Sequence, residues 1–168
     1  MIIKSYEIQK VKHNILKSNF FLMYGENFGL KNDIKEFVKK EIKQGETVET
    51  LSLYENEILA KENEFYDSVY SGSLFSNTKI ICIHEATDKI FKTIETIYEK
   101  KIENVFFLLV SPILEKKSKL RNFFETNKKM FCFPCYLDTE KDLEIILQYE
   151  IKKSNIVLSR ESLNLLIE

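Results

Sequence analysis

The 168 residues suffice for one domain with a substantial core and the start of another. Hydrophobic residues make up 44% and charged residues 30%, the balance of an ordinary globular protein, which excludes a disordered chain. The net charge of -1 favours neither nucleic acid nor its avoidance, so local basic clusters must carry that question. Arginine occurs only at positions 121 and 160, and base-specific readout by bidentate guanidinium is therefore not expected. The longest uninterrupted apolar run is Val105 to Val110, too short to cross a membrane, and no signal peptide of the usual kind opens the chain. Three cysteines fit a reducing cytoplasm, and the expected location is cytoplasmic.

In chain order, Ser5 to Leu16 reads as a short amphipathic helix. Phe20 to Tyr24 is an apolar run closed by Gly25, the pattern of a strand buried on both faces. Leu30, Ile34, Phe37, Val38 and Ile42 then recur at steps of four and three, a helix stripe ended by Gln44-Gly45. Val48 to Tyr54 alternates as a second strand, and the acidic stretch Glu55 to Glu64 leads into a helix reaching Tyr70. Lys79 to His84 predicts a third strand, Ile90 to Ile102 a helix, and Val105 to Val110 a fourth strand. A helix over Leu114 to Thr126 and a fifth strand over Met130 to Leu137 follow. Buried strands alternating with helices predict an α/β fold, a parallel five-stranded sheet covered by helices on both faces.

From Thr139 the pattern is helical only, with Ser159 a plausible N-cap for the last helix. The expected division is an α/β domain over residues 1–138 and the beginning of a small helical lid over 139–168. The chain stops inside an apparent helix, which suggests that this second domain is truncated.

Gly25-Glu26-Asn27-Phe28-Gly29-Leu30-Lys31-Asn32 stands where a phosphate-binding loop would, between a strand and a helix. Lys31 keeps the required distance from Gly25, but Leu30 replaces the second glycine and Asn32 the hydroxyl residue that would hold Mg²⁺. Gly29 lies one place too early, and Glu26 adds a repelling charge. The second half of an ATPase site would end the third strand, where His84-Glu85 substitutes His84 for the metal-holding aspartate. Two damaged halves point to a domain that binds rather than hydrolyses, with no metal and no cofactor expected.

Cys132-Phe133-Pro134-Cys135 forms a C-x-x-C, but inside a late strand rather than opening a helix, as a redox pair would. His13 and His84 lack ligand-spaced partners, and no catalytic constellation stands out. Lys116, Lys117, Lys119 and Arg121 lie in the densest basic region. With Lys117 and Arg121 on one helix face, they form either a solvated face or a sequence-independent contact to a DNA backbone. Ser73-Leu74-Phe75-Ser76, between a helix and the third strand, is either a core plug or a pair of exposed apolar anchors.

Taken together, the order and spacing of several patterns resemble the delta subunit of the bacterial DNA polymerase III clamp loader. They are Phe21 to Leu30, Ser73 to Ser76, and Leu114 with Ser118-Lys119-Leu120-Arg121 and Phe124-Glu125. Cys135-Tyr136 with Asp138, and Ile156 and Leu158 before Ser159, complete the set. The resemblance implies an AAA+-like first domain, a helical second domain, and a C-terminal helical collar missing here. It implies membership of the DNA polymerase III holoenzyme, the complex that is a DNA-directed DNA polymerase, with no polymerase site and no ATP hydrolysis in this chain. The implied partners are the sliding clamp (the beta subunit), the gamma/tau and delta prime subunits, and DNA within the complex. The implied clamp-binding residues are Leu74 and Phe75, with Ser73 and Ser76 alongside. A nucleotide-regulated or atypical P-loop NTPase using Lys31 is the alternative reading of the residues.

Overall fold

The computed structural model describes the chain except Lys4, Glu46, residues 72–77, Asn155 and Glu168. It comprises two compact units, Met1–Cys135 and Tyr136–Glu168.

In the first unit a 3₁₀ helix over Ser5–Lys17 precedes β1 (Phe20–Tyr24) and α1 (Phe28–Lys43). Then come β2 (Glu49–Tyr54), α2 (Glu55–Ala60), α3 (Glu62–Tyr70), β3 (Lys79–His84) and α4 (Phe91–Glu99). The unit closes with β4 (Val105–Ser111), α5 (Lys119–Thr126) and β5 (Phe131–Pro134). The five strands form one sheet in the order β2-β3-β4-β1-β5, with every pairing parallel.

The uninterrupted apolar runs form the central strands because both faces of the sheet are covered. Phe20, Leu22 and Tyr24 of β1 face one core with Phe65 and Val69 of α3, Ile94 and Ile97 of α4, and Leu120 and Phe124 of α5. Phe21 and Met23 face the other, with Ile34, Val38 and Ile42 of α1 and Ile15 from the first helical segment. The chain therefore leaves β1 toward one face and β4 toward the other. That makes the carboxyl ends of these neighbouring strands the topological switch point, where open α/β sheets hold their ligands.

Three sequence expectations change in detail. The acidic stretch contains two helices, because the Lys61 amide turns back to the Ile58 carbonyl at 3.1 Å and breaks the run. Helix α5 begins at Lys119, not Leu114: Ser118 caps it by accepting from the Arg121 amide, and the Leu114 carbonyl is taken by Arg121 Nη1 at 2.9 Å. Lys117 consequently precedes the helix, and the face it was expected to share with Arg121 does not form. Strand β5 ends at Pro134 rather than Leu137, since its neighbour β1 stops at Tyr24, the register partner of Pro134.

The second unit holds α6 (Glu140–Ser154) and α7 (Arg160–Ile167). Thr139 and Asp142 cap α6 reciprocally, the Thr139 amide donating to Asp142 Oδ2 at 2.9 Å. Ser159 caps α7 through the Ser162 amide, as its position in the sequence predicts. Among the described residues no helix is long and apolar enough to cross a membrane.

Candidate functional site

The loop from Gly25 to Asn32 lies at the switch point, joining β1 to α1. Asn27 caps α1, its side chain accepting from the Leu30 amide at 3.0 Å and its carbonyl from the Lys31 amide at 3.1 Å. The Asn27 amide donates to the Cys135 carbonyl at 3.0 Å, and the Gly25 amide to the Pro112 carbonyl at 3.1 Å. Four amides of a segment that would have to cradle phosphate are thus committed to the protein itself.

Gly25 is required here for a different reason from that in a phosphate loop. Its φ is 127°, and a β-carbon on it would stand 2.1 Å from the Cys135 carbonyl oxygen. The close backbone approach is made to the end of β5, not to a ligand. Gly29, by contrast, sits in the first turn of α1, where a β-carbon would make only an ordinary contact with Asn27 Oδ1 at 3.6 Å.

Lys31 is 8% exposed, and its ammonium donates to the Ser111 carbonyl at 3.0 Å, at the end of β4. The group that would meet a phosphate is folded into the switch point and partnered by main chain. Leu30 is partly buried and packs against the α1-side core, while Asn32 and Glu26 are exposed. Phe28, 76% exposed, opens the helix.

His84 ends β3 and is brought to the same place. Phe28, Lys31, Asn32, Lys35, His84 and Val110 line a concavity of about 40 Å³. That is room for a water and far below the several hundred Å³ of a small-molecule site. Glu85 is not among the lining residues; it is exposed and left-handed, with φ 56°. His84 Nε2 lies 2.9 Å from Ser52 Oγ, and its ring is tilted against Tyr54 at 5.4 Å. Burial, with Lys35 and Lys39 nearby, pushes the imidazole pKa below its ordinary value and favours the neutral ring. A neutral histidine beside two lysines cannot replace a carboxylate as a Mg²⁺ ligand of the usual ATPase kind.

Leu74 and Phe75, with Ser73 and Ser76, lie outside the described residues. The ends of their segment are tied together by Lys79, which is 6% exposed. Its ammonium donates to the Ser68 carbonyl at 2.8 Å and the Ser71 carbonyl at 3.4 Å, and pairs with Glu49 at 3.2 Å. The start of β3 thereby holds the last turn of α3, a role that the sequence pattern does not disclose.

The basic region divides. Lys116, Lys117 and Lys119 are exposed, Lys117 paired with Glu115 at 3.0 Å across a solvated surface. Arg121 is turned inward: Nε meets Glu125 Oε1 at 2.9 Å, and the guanidinium lies 4.8 Å from the centre of the Tyr24 ring. Tyr24 Oη also donates to Glu125 Oε1 at 2.9 Å, so Arg121 buttresses β1 against α5. Cys132 and Cys135 are fully buried, and burial pushes both thiols up to about 12, which leaves them inert.

No family model matches the chain. A Rickettsia prowazekii (strain Madrid E) protein named "Probable DNA polymerase III subunit delta" is 25% identical over 96 residues, which are 57% of this chain and 30% of that protein. The DNA clamp loader delta protein of Bacillus subtilis superposes with a TM-score of 0.63 at 11% identity, over 95% of this chain and 50% of that one. Domain III of the Thermotoga maritima replication initiation protein DnaA gives 0.51 at 14% identity, over 98% and 74%. The chain spans half or less of the two delta proteins. The structural likenesses establish the fold, an AAA+-like α/β domain. In sequence and in fold alike, the chain resembles the delta subunit of the bacterial DNA polymerase III clamp loader.

Proposed function

We propose that the chain is the clamp-engaging part of a clamp-loader delta subunit, which binds the sliding clamp and helps open it for loading onto primed DNA. It does so without hydrolysing ATP, acts in the cytoplasm, and leaves nucleotide chemistry to the gamma/tau subunits it assembles with, beside delta prime. One observation carries this reading: in a chain similar to delta proteins, the lysine of the phosphate loop is buried on the Ser111 carbonyl. A switch point closed by its own side chains supports a scaffold role rather than a nucleotide site.

Leu74 and Phe75, flanked by Ser73 and Ser76, are the proposed clamp contact. Burying a leucine and a phenylalanine contributes roughly 3–6 kcal/mol before ordering costs, enough to bias a clamp between two states if one is bound better than the other. Lys116, Lys117 and Lys119, which are exposed, are the proposed contacts to the DNA backbone; Arg121, engaged inside the domain, supports them only through the fold. The test is a pull-down against the sliding clamp of the same organism. The wild-type chain is expected to retain it. Leu74→Ala with Phe75→Ala is expected to lose it while keeping the wild-type circular dichroism spectrum. Native affinity in the double variant would refute the assignment.

A further inference from the structure

The sheet treats its two edges differently. Along β5 the chain's own start lies as a short extra strand: the Ile3 amide donates to the Cys132 carbonyl at 2.8 Å, and the Cys132 amide to the Met1 carbonyl at 3.0 Å. At the other edge β2 is the last strand, and among the described residues nothing pairs with its outer side. The Glu49 amide donates to the Thr78 carbonyl, toward β3, which fixes the alternation. Leu51 and Leu53 therefore turn their main-chain groups to β3, while Thr50 and Ser52 turn theirs outward. Tyr54, next on that side, has its amide taken by Glu57 Oε2 at 2.7 Å. Both Thr50 and Ser52 are exposed.

Beside this open edge lies a groove of about 590 Å³, lined on its floor by Leu51, Leu53, Ile58, Ala60 and Phe65. Its rim is acidic. Glu57 and Glu64 line it with Lys61, which is itself paired with Glu64 at 3.0 Å; Glu49, Glu62 and Asp67 of the same stretch are also exposed, Glu49 being paired with Lys79, and Glu55 is buried. The outward main-chain groups of Thr50 and Ser52, without a partner among the described residues, fit another strand, the apolar floor fits alternate side chains of that strand, and the exposed carboxylates fit cations. We infer that the β2 edge binds an extended, basic segment of a partner protein, which adds to the sheet as a sixth strand. The apolar residues of that segment alternate with lysine or arginine. The inference does not rest on the proposed clamp contact at residues 73–76.

The test uses the whole 168-residue chain and a fluorescent nine-residue peptide of alternating lysine and valine, its ends acetylated and amidated. Saturable binding is expected in low salt, weakened at least tenfold by N-methylating alternate peptide amides and by replacing each lysine with glutamate. Thr50→Pro, which removes an outward N–H at a place where an edge strand tolerates proline, is expected to weaken binding at least tenfold. Glu64→Lys, at an exposed rim position, is expected to weaken it about three- to tenfold. Should Thr50→Pro fold poorly, hydrogen exchange on the wild type decides. The amides of Thr50 and Ser52 gain protection on adding peptide, whereas those of Leu51 and Leu53, already inside the sheet, do not change. Absence of saturable binding, or binding indifferent to N-methylation, overturns the inference. Protection of Thr50 and Ser52 that rises with protein concentration alone would assign the edge to a second copy instead, and would also overturn it.

Discussion

If Lys31 is a structural residue, replacing it should cost stability and change nothing in nucleotide affinity. Lys31→Met keeps the aliphatic stem inside the switch point and removes only the ammonium. The lost bond to the Ser111 carbonyl is a charge-assisted one, worth about 1.5–3 kcal/mol. Relief from burying the ammonium offsets part of it, and methionine leaves no cavity, so a net loss of about 1–2 kcal/mol is expected. The Ser111 carbonyl is then left without this bond at a buried position, next to a Ser111 hydroxyl that has no hydrogen-bond partner among the described residues. For a domain of this size the midpoint of thermal unfolding should fall by about 2–8 °C. Calorimetric titration with Mg-ATP, run on both proteins, should show no saturable heat in either. The reasoning fails if the variant melts with the wild type while the wild type binds Mg-ATP and the variant does not. That pattern belongs to a working phosphate loop and would restore the NTPase reading.

The two loop glycines should respond in opposite senses. Gly25→Ala drives a β-carbon against the Cys135 carbonyl at an unfavourable φ, and a loss of at least about 2 kcal/mol is expected from urea midpoints. Gly29→Ala, in an uncrowded helical turn, should be neutral or stabilise by up to about 1 kcal/mol, and a loss comparable to that at Gly25 would show the loop geometry to be misread. A third expectation concerns Asp88. Burial opposes its ionisation, yet hydrogen bonds from Ser118 Oγ and from the Leu120 and Lys119 amides outweigh this and hold its pKa below the ordinary value of 3.8. A depressed carboxyl stabilises the fold above its unfolded pKa and ceases to do so as pH falls through its folded pKa. Because Asp88 is exposed and its interactions are screened by solvent, Asp88→Asn should lower stability at pH 7 only slightly, by less than about 1 kcal/mol, with the gap to wild type closing below pH 3.8; a gap independent of pH would contradict it.

The strands were legible because a parallel sheet covered on both faces needs continuous apolar runs, and Phe20–Tyr24, Lys79–His84 and Val105–Val110 supply them within a residue of their observed bounds. The start of α5 was not. Leu114 to Thr126 read as one helix, but the commitment of the Leu114 carbonyl to the Arg121 side chain and the cap at Ser118 decide where helical turns begin. For the same kind of reason Arg121 looked available to a phosphate backbone. Nothing local in the basic stretch indicates that its guanidinium packs on Tyr24, nearly a hundred residues earlier.

The loop shows where spacing stops being informative. Gly25 and Lys31 preserve the positions of a phosphate loop, and spacing alone places Lys31 at the switch point, as observed. What it cannot express is the partner, since Ser111 stands 80 residues away in sequence. Once the contacts are known, the segment that leaves β1 is tied to the ends or exits of two other strands: Gly25 to Pro112 beyond β4, Asn27 to Cys135 beyond β5, and Lys31 to Ser111 on β4. A nucleotide-driven domain must leave such groups free in one state so that a phosphate can recruit them in the other. Here the same groups already bridge β1, β4 and β5, which favours the proposed scaffold role over that of a nucleotide-driven switch. On that proposal, conformational work comes from outside the switch point, from a surface that a partner can grip.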